Sequence, residues 1–592
     1  MDKAVKNPKK IKNIEESLWE SAVKLRGTVE PQEYKHVVFG LIFLKFACDK
    51  FEERRLELIS EGKEKYLEVS DFYLMKNIFY IPENFRWSDI IKNAKQDDVA
   101  ILIDSALSTV EKMNPSLSGA LPDNYYSRLN LDVVKLRALL DAINKIDTLV
   151  DRDQDIIGRI YEYFLLKFAI EEGKGKGEFY TPKNIVNLMA EMIEPYRGKI
   201  YDPCCGSGGM FVQSLKFVEA HQGNTKDVSI YGQEGVPTTY KLAKMNLAIR
   251  GISANLGEIP ADTFSKDQHE GLKADFIMAN PPFNLKDWRG PNDLLDDPRW
   301  SGYDVPPASN ANYGWILHMI SKLSDNGVAA FLLANGALGD PDTKEIRKQI
   351  IEKDLVEAIV VLPRDMFYST DISVTLWIVN KNKRARTGIQ GNKSVAYRDR
   401  QNEILFIDLR RKGVEFEKKY IELSKSEINQ TVDTYRSWQI EESSLKYSDV
   451  PEFCYSARRE EIIKNNFSLI PSRYIKFIDT NLQLSFEIVM LFAAGAVTTF
   501  MFGKQLPVPA PKVLPALSVA AASPSVAWLP PINLPDVSKW LASLAPATLV
   551  SLLTVAAGAG ILIAVAALAG GLAILFVILD RQVKGTSSDS KS

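Results

Sequence analysis

The chain has 592 residues, enough for roughly two to four domains, and its 46% hydrophobic and 25% charged content is typical of globular proteins. The formal net charge of −2 disfavours a protein that grips nucleic acid without help, because phosphate neutralisation usually requires a basic excess. The four cysteines form no CxxC pair and the four histidines show no metal-ligand spacing, so neither a disulfide framework nor a metal site is predicted.

Residues 1–150 are predicted to form a helical N-terminal domain. Apolar residues recur at helical spacing around Leu18, and the stretch LDVVKLRALLDAINKID at 131–147 is amphipathic. This part of the sequence contains no group of polar residues that suggests chemistry. Packing or docking of a partner is therefore its expected role.

A Gly- and Lys-rich loop leads from the next predicted helix into the segment EFYTPK at 178–183. Thr181 is predicted to be the N-cap, and Pro182 the first residue, of the helix that follows. Taken alone, this segment indicates a helix start and nothing more.

A Gly-rich turn, CCGSGG at 204–209, follows the predicted strand KIYDP and precedes a predicted helix. Gly206, Gly208 and Gly209 allow a sharp turn and a close approach to a ligand, beside the N–H groups of a helix N-terminus. Asp202, at the end of the strand, could meet a positively charged ligand or orient the turn. Many βα units have such a turn, so alone it is a weak signal.

Two acidic residues follow the next predicted elements. Glu234 ends the second strand, at the position where doubly wound folds hydrogen-bond a ribose diol. Asp262 lies where it could bind an adenine amine. A turn or N-cap role for Asp262 is about equally expected.

The third predicted strand, DFIMA, ends in Asn280-Pro281-Pro282-Phe283, and the two prolines stiffen the turn. The Asn280 side-chain oxygen and the Pro281 carbonyl could each accept one N–H of an exocyclic amine and so aim its lone pair. Phe283 could stack on a base that has left the duplex. With the Gly-rich turn and Glu234, this motif predicts methyl transfer from S-adenosylmethionine to an exocyclic amine, N6 of adenine in DNA above others.

These motifs, with YGQEGVPTTYKLAKMNLAIRGI at 231–252, resemble those of the methylation subunit of a type I restriction–modification system, an N6-adenine DNA methyltransferase. The resemblance covers about residues 10–478. It implies a Rossmann-like α/β fold with a mostly parallel sheet, S-adenosylmethionine as cofactor, and a cytoplasmic location. The implied partners are DNA, a specificity subunit that recognises the target, a second methylation subunit and a restriction subunit.

The resemblance also implies roles for individual residues. The catalytic residues would be Asn280, Pro281, Pro282 and Phe283. The EFYTPK segment and the Gly-rich turn would bind the cofactor, with Glu234 on the ribose. The full predicted set of cofactor-binding residues is Glu178, Phe179, Tyr180, Thr181, Pro182, Lys183, Asp202, Gly206, Ser207, Gly208, Gly209, Glu234 and Asp262.

Two other functions stay open at this stage. A protein-glutamine methyltransferase also has an Asn-Pro-Pro-aromatic motif, but it would lack FYTP and the long helical N-terminus. A catalytically silent scaffold of a defence complex, anchored to a membrane, would have no need of residues 280–283.

Residues 151–478 are predicted to form the methyltransferase domain. Strands at 328–334, 356–362 and 372–379 bring the total, with a late strand EILFIDL, to about seven in an alternating α/β pattern. Residues 413–475 are predicted to be helical and charged. The polar loop at 284–310 could close over a base or be an ordinary surface insertion.

Residues 479–592 form an atypical tail, rich in Ala, Leu, Val and Pro. The stretch 549–579 carries no charge over about 31 positions, more than the roughly 20 that cross a bilayer, so a transmembrane helix and a membrane partner are predicted. The resembling family ends instead in a polar helical tail that contacts its partners. A true anchor, a fusion with foreign sequence and a gene-model error all remain open, and the abrupt change in amino-acid usage favours the last two.

Overall fold

The computed structural model describes residues 14–23, 31–129, 131–146, 156–172, 181–368, 372–390, 393–416, 420–441, 443 and 445–477. The described residues up to 476 form one compact unit, and of residues 477–592 only Phe477 is described. The predicted tail, with its span at 549–579, lies outside the described residues. Within the described ranges, no helix is both long and apolar enough to cross a membrane.

The N-terminal part of the chain is helical, as predicted. Its helices are α1 Ile14–Val23, α2 Pro31–Ser60, α3 Asp71–Leu74, α4 Trp87–Asn93, α5 Val99–Met113, α6 Tyr125–Arg128, α7 Val133–Asn144 and α8 Ile156–Glu172. Helix α7 begins where the Asp132 carboxylate accepts hydrogen bonds from the N–H groups of Val134 and Lys135. Successive residues of α2 are buried on all sides from Val37 to Leu44, so α2 is the central helix of this part.

One hydrophobic core joins these helices to the part of the chain that follows. It includes Tyr161 and Phe164 of α8 and also Leu242 and Met245, which lie on a later helix, Pro237–Ile249. The Tyr161 hydroxyl donates to the Leu242 carbonyl at 3.0 Å. Helix α8, which the sequence analysis assigned to the methyltransferase domain, therefore packs in the core of the helical part as well.

The rest of the described chain alternates between strands and helices. In order, the elements are α9 Lys183–Ile193, β1 Gly198–Asp202, α10 Gly209–Ala220, β2 Val228–Gly232, α11 Pro237–Ile249, β3 Ala254–Asn255, β4 Ala274–Ala279, α12 Asn312–Lys322, β5 Leu323–Ala334, α13 Lys344–Glu352, β6 Val356–Val361, β7 Val374–Asn380, β8 Arg386–Gln390, β9 Lys393–Tyr397, β10 Glu403–Asp408, β11 Val414–Phe416, β12 Tyr420–Glu422, α14 Lys425–Gln439, β13 Cys454–Arg458 and α15 Arg459–Lys464.

Nine strands form one sheet in the order β13-β10-β6-β7-β5-β4-β1-β2-β3. Five of the neighbouring pairs are parallel, and the pairs β5–β7, β6–β7 and β10–β13 are antiparallel. Every residue of β6 and β7 is buried, because helices cover both faces of the sheet. The prediction of a mostly parallel α/β sheet after a helical N-terminus is confirmed.

All seven predicted strands are present, but the prediction for 413–475 is wrong in part. This segment contains the short hairpin β11–β12 and the edge strand β13 as well as helices. Strand β13 exists because it pairs with β10, where Cys454 lies opposite Ile407. Because this pairing is a tertiary contact and the strand is short, its sequence shows too little alternation of apolar and polar residues for the strand to be predicted.

The strand order reverses between β1 and β4. Strands β2 and β3 continue on one side of β1, whereas β4 and β5 continue on the other. Tyr201 pairs with Ile277, so the parallel strands β1 and β4 end at the same edge of the sheet, where Asp202 is the last residue of β1 and Asn280 follows β4. In open α/β sheets, ligands bind in the crevice at such a reversal.

The loop at 284–310 is fastened to the protein. The Trp288 indole donates to the Pro307 carbonyl at 2.9 Å, and the Trp300 side chain is buried. Arg299 donates to the carbonyls of Thr263 and Phe264 at 2.9 and 2.7 Å. These contacts hold the loop as a packed insertion beside the end of β4.

Candidate active site

A pocket opens at the carboxyl ends of β1 and β4, where the strand order reverses. Seven of the predicted site residues line it: Thr181, Lys183, Asp202, Gly206, Ser207, Gly209 and Asn280. Residues of the EFYTPK segment, of the Gly-rich turn and of the motif after β4 therefore lie together around one pocket. Glu178, Phe179 and Tyr180 lie outside the described residues.

The Gly-rich turn has the backbone conformation that glycine permits. Gly206 has φ of 54° and Gly208 has φ of 78°, both in the left-handed region. A Cβ atom at Gly208 would contact the Leu247 side chain at 3.4 Å, whereas one at Gly206 or Gly209 would project into open space. Helix α10 starts at Gly209, so the turn brings a helix N-terminus to the pocket.

The Glu234 carboxylate connects the loops that follow β1 and β2. Its Oε2 accepts a hydrogen bond from the Gly206 N–H at 3.0 Å, and its Oε1 accepts one from the Val236 N–H at 2.8 Å. Glu234 is half-buried beside the pocket and does not itself line it. Its predicted role on a ribose stays a prediction.

Asp262 stabilises a turn. Its Oδ1 accepts hydrogen bonds from the N–H groups of Phe264 and Ser265 at 3.1 and 2.8 Å, and its side chain is exposed. The preceding residue, Ala261, donates to the Glu234 carbonyl at 3.0 Å, which keeps this turn next to the loop that follows β2. The turn role that the sequence left open is thus present, and binding of an adenine amine stays a prediction.

Asp202 is a buried carboxyl group at the pocket. Its Oδ1 accepts a hydrogen bond from the Cys204 N–H at 3.0 Å, and the side chain is 1% exposed. Burial raises the pKa of Asp202 to about 7, and the nearby negative charge of Glu234 adds to the shift while the Cys204 hydrogen bond opposes it. A cation beside this carboxyl group would stabilise its ionised form.

Asn280 makes one hydrogen bond and leaves one acceptor unused. Its Nδ2 donates to the Thr181 hydroxyl oxygen at 2.9 Å, and its Oδ1 is buried and accepts no hydrogen bond from the described residues. The prediction that Thr181 caps the following helix is wrong. Helix α9 begins at Lys183 with Pro182 as its N-cap residue, so Thr181 lies one residue before the cap, and its hydroxyl accepts a hydrogen bond from Asn280.

Hydrogen bonds and an aromatic contact hold the residues that follow Asn280. Asn284 has φ of 53°, and its N–H and side-chain oxygen are both bonded to the Asn312 amide, at 3.0 and 2.9 Å. Phe283 is half-buried and packs edge-to-face on Phe367, with ring centroids 5.8 Å apart. These contacts therefore fix the backbone that follows Pro281.

Sequence reasoning missed a polar cluster in the lining of the pocket. Glu162 of α8 forms ion pairs with Lys216 at 2.6 Å and with Lys183 and Arg250 at 3.7 Å. The Asn246 amide donates to the Ser207 carbonyl at 2.6 Å and is itself bonded by Arg250. The sequence signal for this cluster was Glu162, a charged residue within the apolar run YEYFLL. Its partners could not be predicted, because they lie far away in the sequence.

Comparison with known proteins identifies relatives along most of the chain. The family model described as N-6 DNA Methylase matches residues 152–482, and that of the HsdM N-terminal domain matches residues 14–146. The type I restriction enzyme HindI methylase subunit of Haemophilus influenzae is 45% identical over 394 residues, which cover 64% of this chain and 84% of that protein. The MjaIX methylase subunit of Methanocaldococcus jannaschii is 35% identical over 498 residues, which cover 81% and 86%.

A solved structure has the same fold. It is the type I restriction-modification system methyltransferase subunit from Streptococcus thermophilus, with a TM-score of 0.64 and 23% identity, and the match covers 78% of this chain and 99% of that one. The extent of the family model and the identity to the methylase subunits establish the relationship. The chain belongs to the N-6 DNA methylase family, among the methylase subunits of type I restriction enzymes.

Proposed function

We propose that this protein transfers a methyl group from S-adenosylmethionine to N6 of adenine in DNA, as the methylase subunit of a type I restriction–modification complex. The buried Oδ1 of Asn280, which accepts no hydrogen bond within the described part of the chain, carries the proposal. An unsatisfied buried acceptor costs about 1–3 kcal/mol, so its retention calls for an explanation. A substrate amine that donates into the pocket supplies one.

The residues at the pocket fit S-adenosylmethionine. The open space at Gly206 and Gly209 lets a ligand approach the backbone closely, and the N-terminus of α10 favours a carboxylate. Asp202 would hold the positive charge and Glu234 the ribose hydroxyls, with Lys183 at the rim. When bound, this cofactor supplies an electrophilic methyl group.

The chain's own residues prepare the amine. The Asn280 Oδ1 accepts one N–H of the exocyclic amine and the Pro281 carbonyl accepts the other. Because both hydrogens are held, the nitrogen becomes more tetrahedral and its lone pair points away from the ring. Phe283 stacks on the flipped base. No general base is needed, since the methylated amine loses its proton readily to water.

The partners follow from the relatives, which are named as methylase subunits of type I restriction enzymes. We infer that this chain works with a specificity subunit, a second methylase subunit, a restriction subunit and DNA. A net charge of −2 fits a subunit that relies on its partners to hold DNA. No observation on the described residues supports a membrane partner, and none is proposed.

The test of the proposed function is product identification. The full-length chain, mixed with its specificity subunit, DNA and methyl-labelled S-adenosylmethionine, is expected to place label on N6 of adenine, measured by mass spectrometry of the digested nucleosides. Label on another base, or on glutamine in a protein fraction, would overturn the assignment of the substrate. DNA whose adenines are already N6-methylated serves as the control and should take up little label.

The pKa of Asp202 predicts how the affinity for S-adenosylmethionine depends on pH. Its pKa of about 7 in the free protein means that it is mostly neutral near pH 6 and mostly ionised near pH 8. A sulfonium binds better beside the ionised form, so affinity for S-adenosylmethionine should rise about tenfold across that interval through proton linkage.

The comparison ligand is S-adenosylhomocysteine, which has the same amino and carboxyl groups but no sulfonium charge. Calorimetric titrations should therefore show that the ratio of the two affinities depends on pH in the wild-type protein and is flat in Asp202→Asn. A ratio that does not change with pH in the wild-type protein would rule out the contact between Asp202 and the positive charge.

A further inference from the structure

We infer that Thr181 is a positioning residue that holds the Asn280 side chain in place at the pocket for methyl transfer. The inference deepens the proposed function and rests on it. Thr181 and Asn280 lie 99 positions apart in the sequence, and their side chains meet at the pocket through the hydrogen bond from Nδ2 to Oγ1. Within the described part of the chain, this is the hydrogen bond that the Asn280 side chain makes, as the donor.

The orientation of this amide decides whether the site can work. A primary amide presents an acceptor on one side and two donors on the other, and the two ends have nearly the same size. With Oδ1 towards the pocket, Asn280 accepts an N–H of the substrate. With Nδ2 towards the pocket, it would set two donors against the donors of the amine, and the nitrogen lone pair could not be aimed.

Thr181 holds the Asn280 side chain at the pocket. Its hydroxyl oxygen accepts from Nδ2, and that hydrogen bond is compatible with an Oδ1 that points into the pocket. A hydroxyl can both accept and donate, so the contact fixes the place of the side chain, and the substrate amine selects the acceptor end of the amide. Removing the hydroxyl takes away the side-chain hydrogen bond that Asn280 makes within the described part of the chain.

The helix that follows Thr181 is packed into the protein. Pro182 is the N-cap residue of α9, with φ of −55° and ψ of 137°, and Ile185 and Met189 bury the inner face of this helix. At the far end of α9, Glu194 forms an ion pair with Arg436 of α14 at 2.6 Å. A hydroxyl on a packed element can hold a partner side chain in a defined geometry.

The experiment compares Thr181→Val, which keeps the shape and loses the hydroxyl, with Thr181→Ser, which keeps the hydroxyl. Each full-length variant is assayed with the specificity subunit and DNA in single turnovers at saturating S-adenosylmethionine, and cofactor affinity is measured separately by calorimetry. Thr181→Val should slow transfer about 10- to 100-fold while its cofactor Kd stays within about threefold of wild type. Thr181→Ser should transfer at close to the wild-type rate.

A matched control is Thr431→Val. The Thr431 hydroxyl is also buried and bonded, to the Glu427 carbonyl at 2.8 Å on α14, and Thr431 does not line the pocket. This variant should leave the rate unchanged. If Thr181→Val does not fold, as judged by thermal melting, Thr181→Ala is assayed in its place against the same expectations.

Two results would overturn the inference. They are a wild-type rate in Thr181→Val at saturating cofactor and an equal loss in Thr181→Val and Thr181→Ser. A wild-type rate combined with a weakened cofactor Kd would show that Thr181 acts on cofactor binding alone. Failure of the proposed function looks different, because the wild-type protein itself would then place no label on adenine N6, and both ideas would fall.

Discussion

Replacing Asn280 with alanine is expected to reduce methyl transfer by at least about 10²–10³-fold, the loss typical when one group that stabilises a transition state is removed. The variant lacks the buried Oδ1 that accepts an N–H of the amine, so the lone pair is no longer aimed. Binding of S-adenosylmethionine should be nearly unaffected, because the Gly-rich turn, Asp202 and Glu234 are intact. Single-turnover transfer to DNA and calorimetric titration of the cofactor measure the two quantities separately.

Asn280→Asp is the informative companion variant. It retains an acceptor oxygen at the same place, so it should transfer faster than Asn280→Ala at neutral pH. Asn382→Ala provides a matched control, since Asn382 lies after β7 and its amide donates to Asn326 at 2.7 Å, outside the pocket lining. Loss of cofactor binding together with transfer in Asn280→Ala would contradict the role given to Asn280.

The sequence was informative wherever a long apolar run ended in a polar residue. Strands β1, β2 and β4 could be predicted because each is a hydrophobic run, and Asp202, Glu234 and Asn280 stood out because each follows such a run. Parallel strands bring their carboxyl ends to one edge, so these residues could be expected to lie together before any coordinates were known.

What the sequence could not provide was set by tertiary contacts. Strand β3 has two residues and exists through its pairing with β2, and β13 exists through β10. The hydroxyl of Thr181 could bond its own helix or a distant side chain, and only the fold decides between them. The same holds for the pKa of Asp202, which depends on how deeply the carboxyl group is buried.

Removing the charge of Arg400 is expected to cause the largest loss of stability. Arg400 and Glu357 are both fully buried, and the guanidinium donates to the Glu357 carboxylate at 2.8 Å between β6 and the start of β10. Burial alone would raise the pKa of Glu357, but the charge of Arg400 and the hydrogen bond from Asn380 outweigh it and hold the pKa below its ordinary value. Arg400→Met leaves a buried carboxylate without its cation, which costs about 3–5 kcal/mol in the free energy of unfolding.

The expected loss depends on pH in a defined direction. In the wild-type protein the pKa of Glu357 is lowered on folding, so its stabilising contribution is present above the unfolded pKa and is lost as pH falls through the folded pKa. In Arg400→Met the hydrogen bonds from Asn380 and Tyr435 remain, but without the charge of Arg400 burial should raise that pKa above the unfolded value. The variant should therefore be most destabilised at neutral and higher pH, and the difference from wild type should shrink in acid.

Urea denaturation of the full-length protein at several pH values measures this difference. Arg411→Met is the matched control, because Arg411 is 64% exposed and its pairing with Glu452 at 2.9 Å should contribute about 0–1 kcal/mol. The double variant Glu357→Gln/Arg400→Met removes both charges, so it should recover part of the stability that Arg400→Met loses. If the double variant were less stable than Arg400→Met, the loss would come from packing of the arginine side chain and not from an unpaired buried charge.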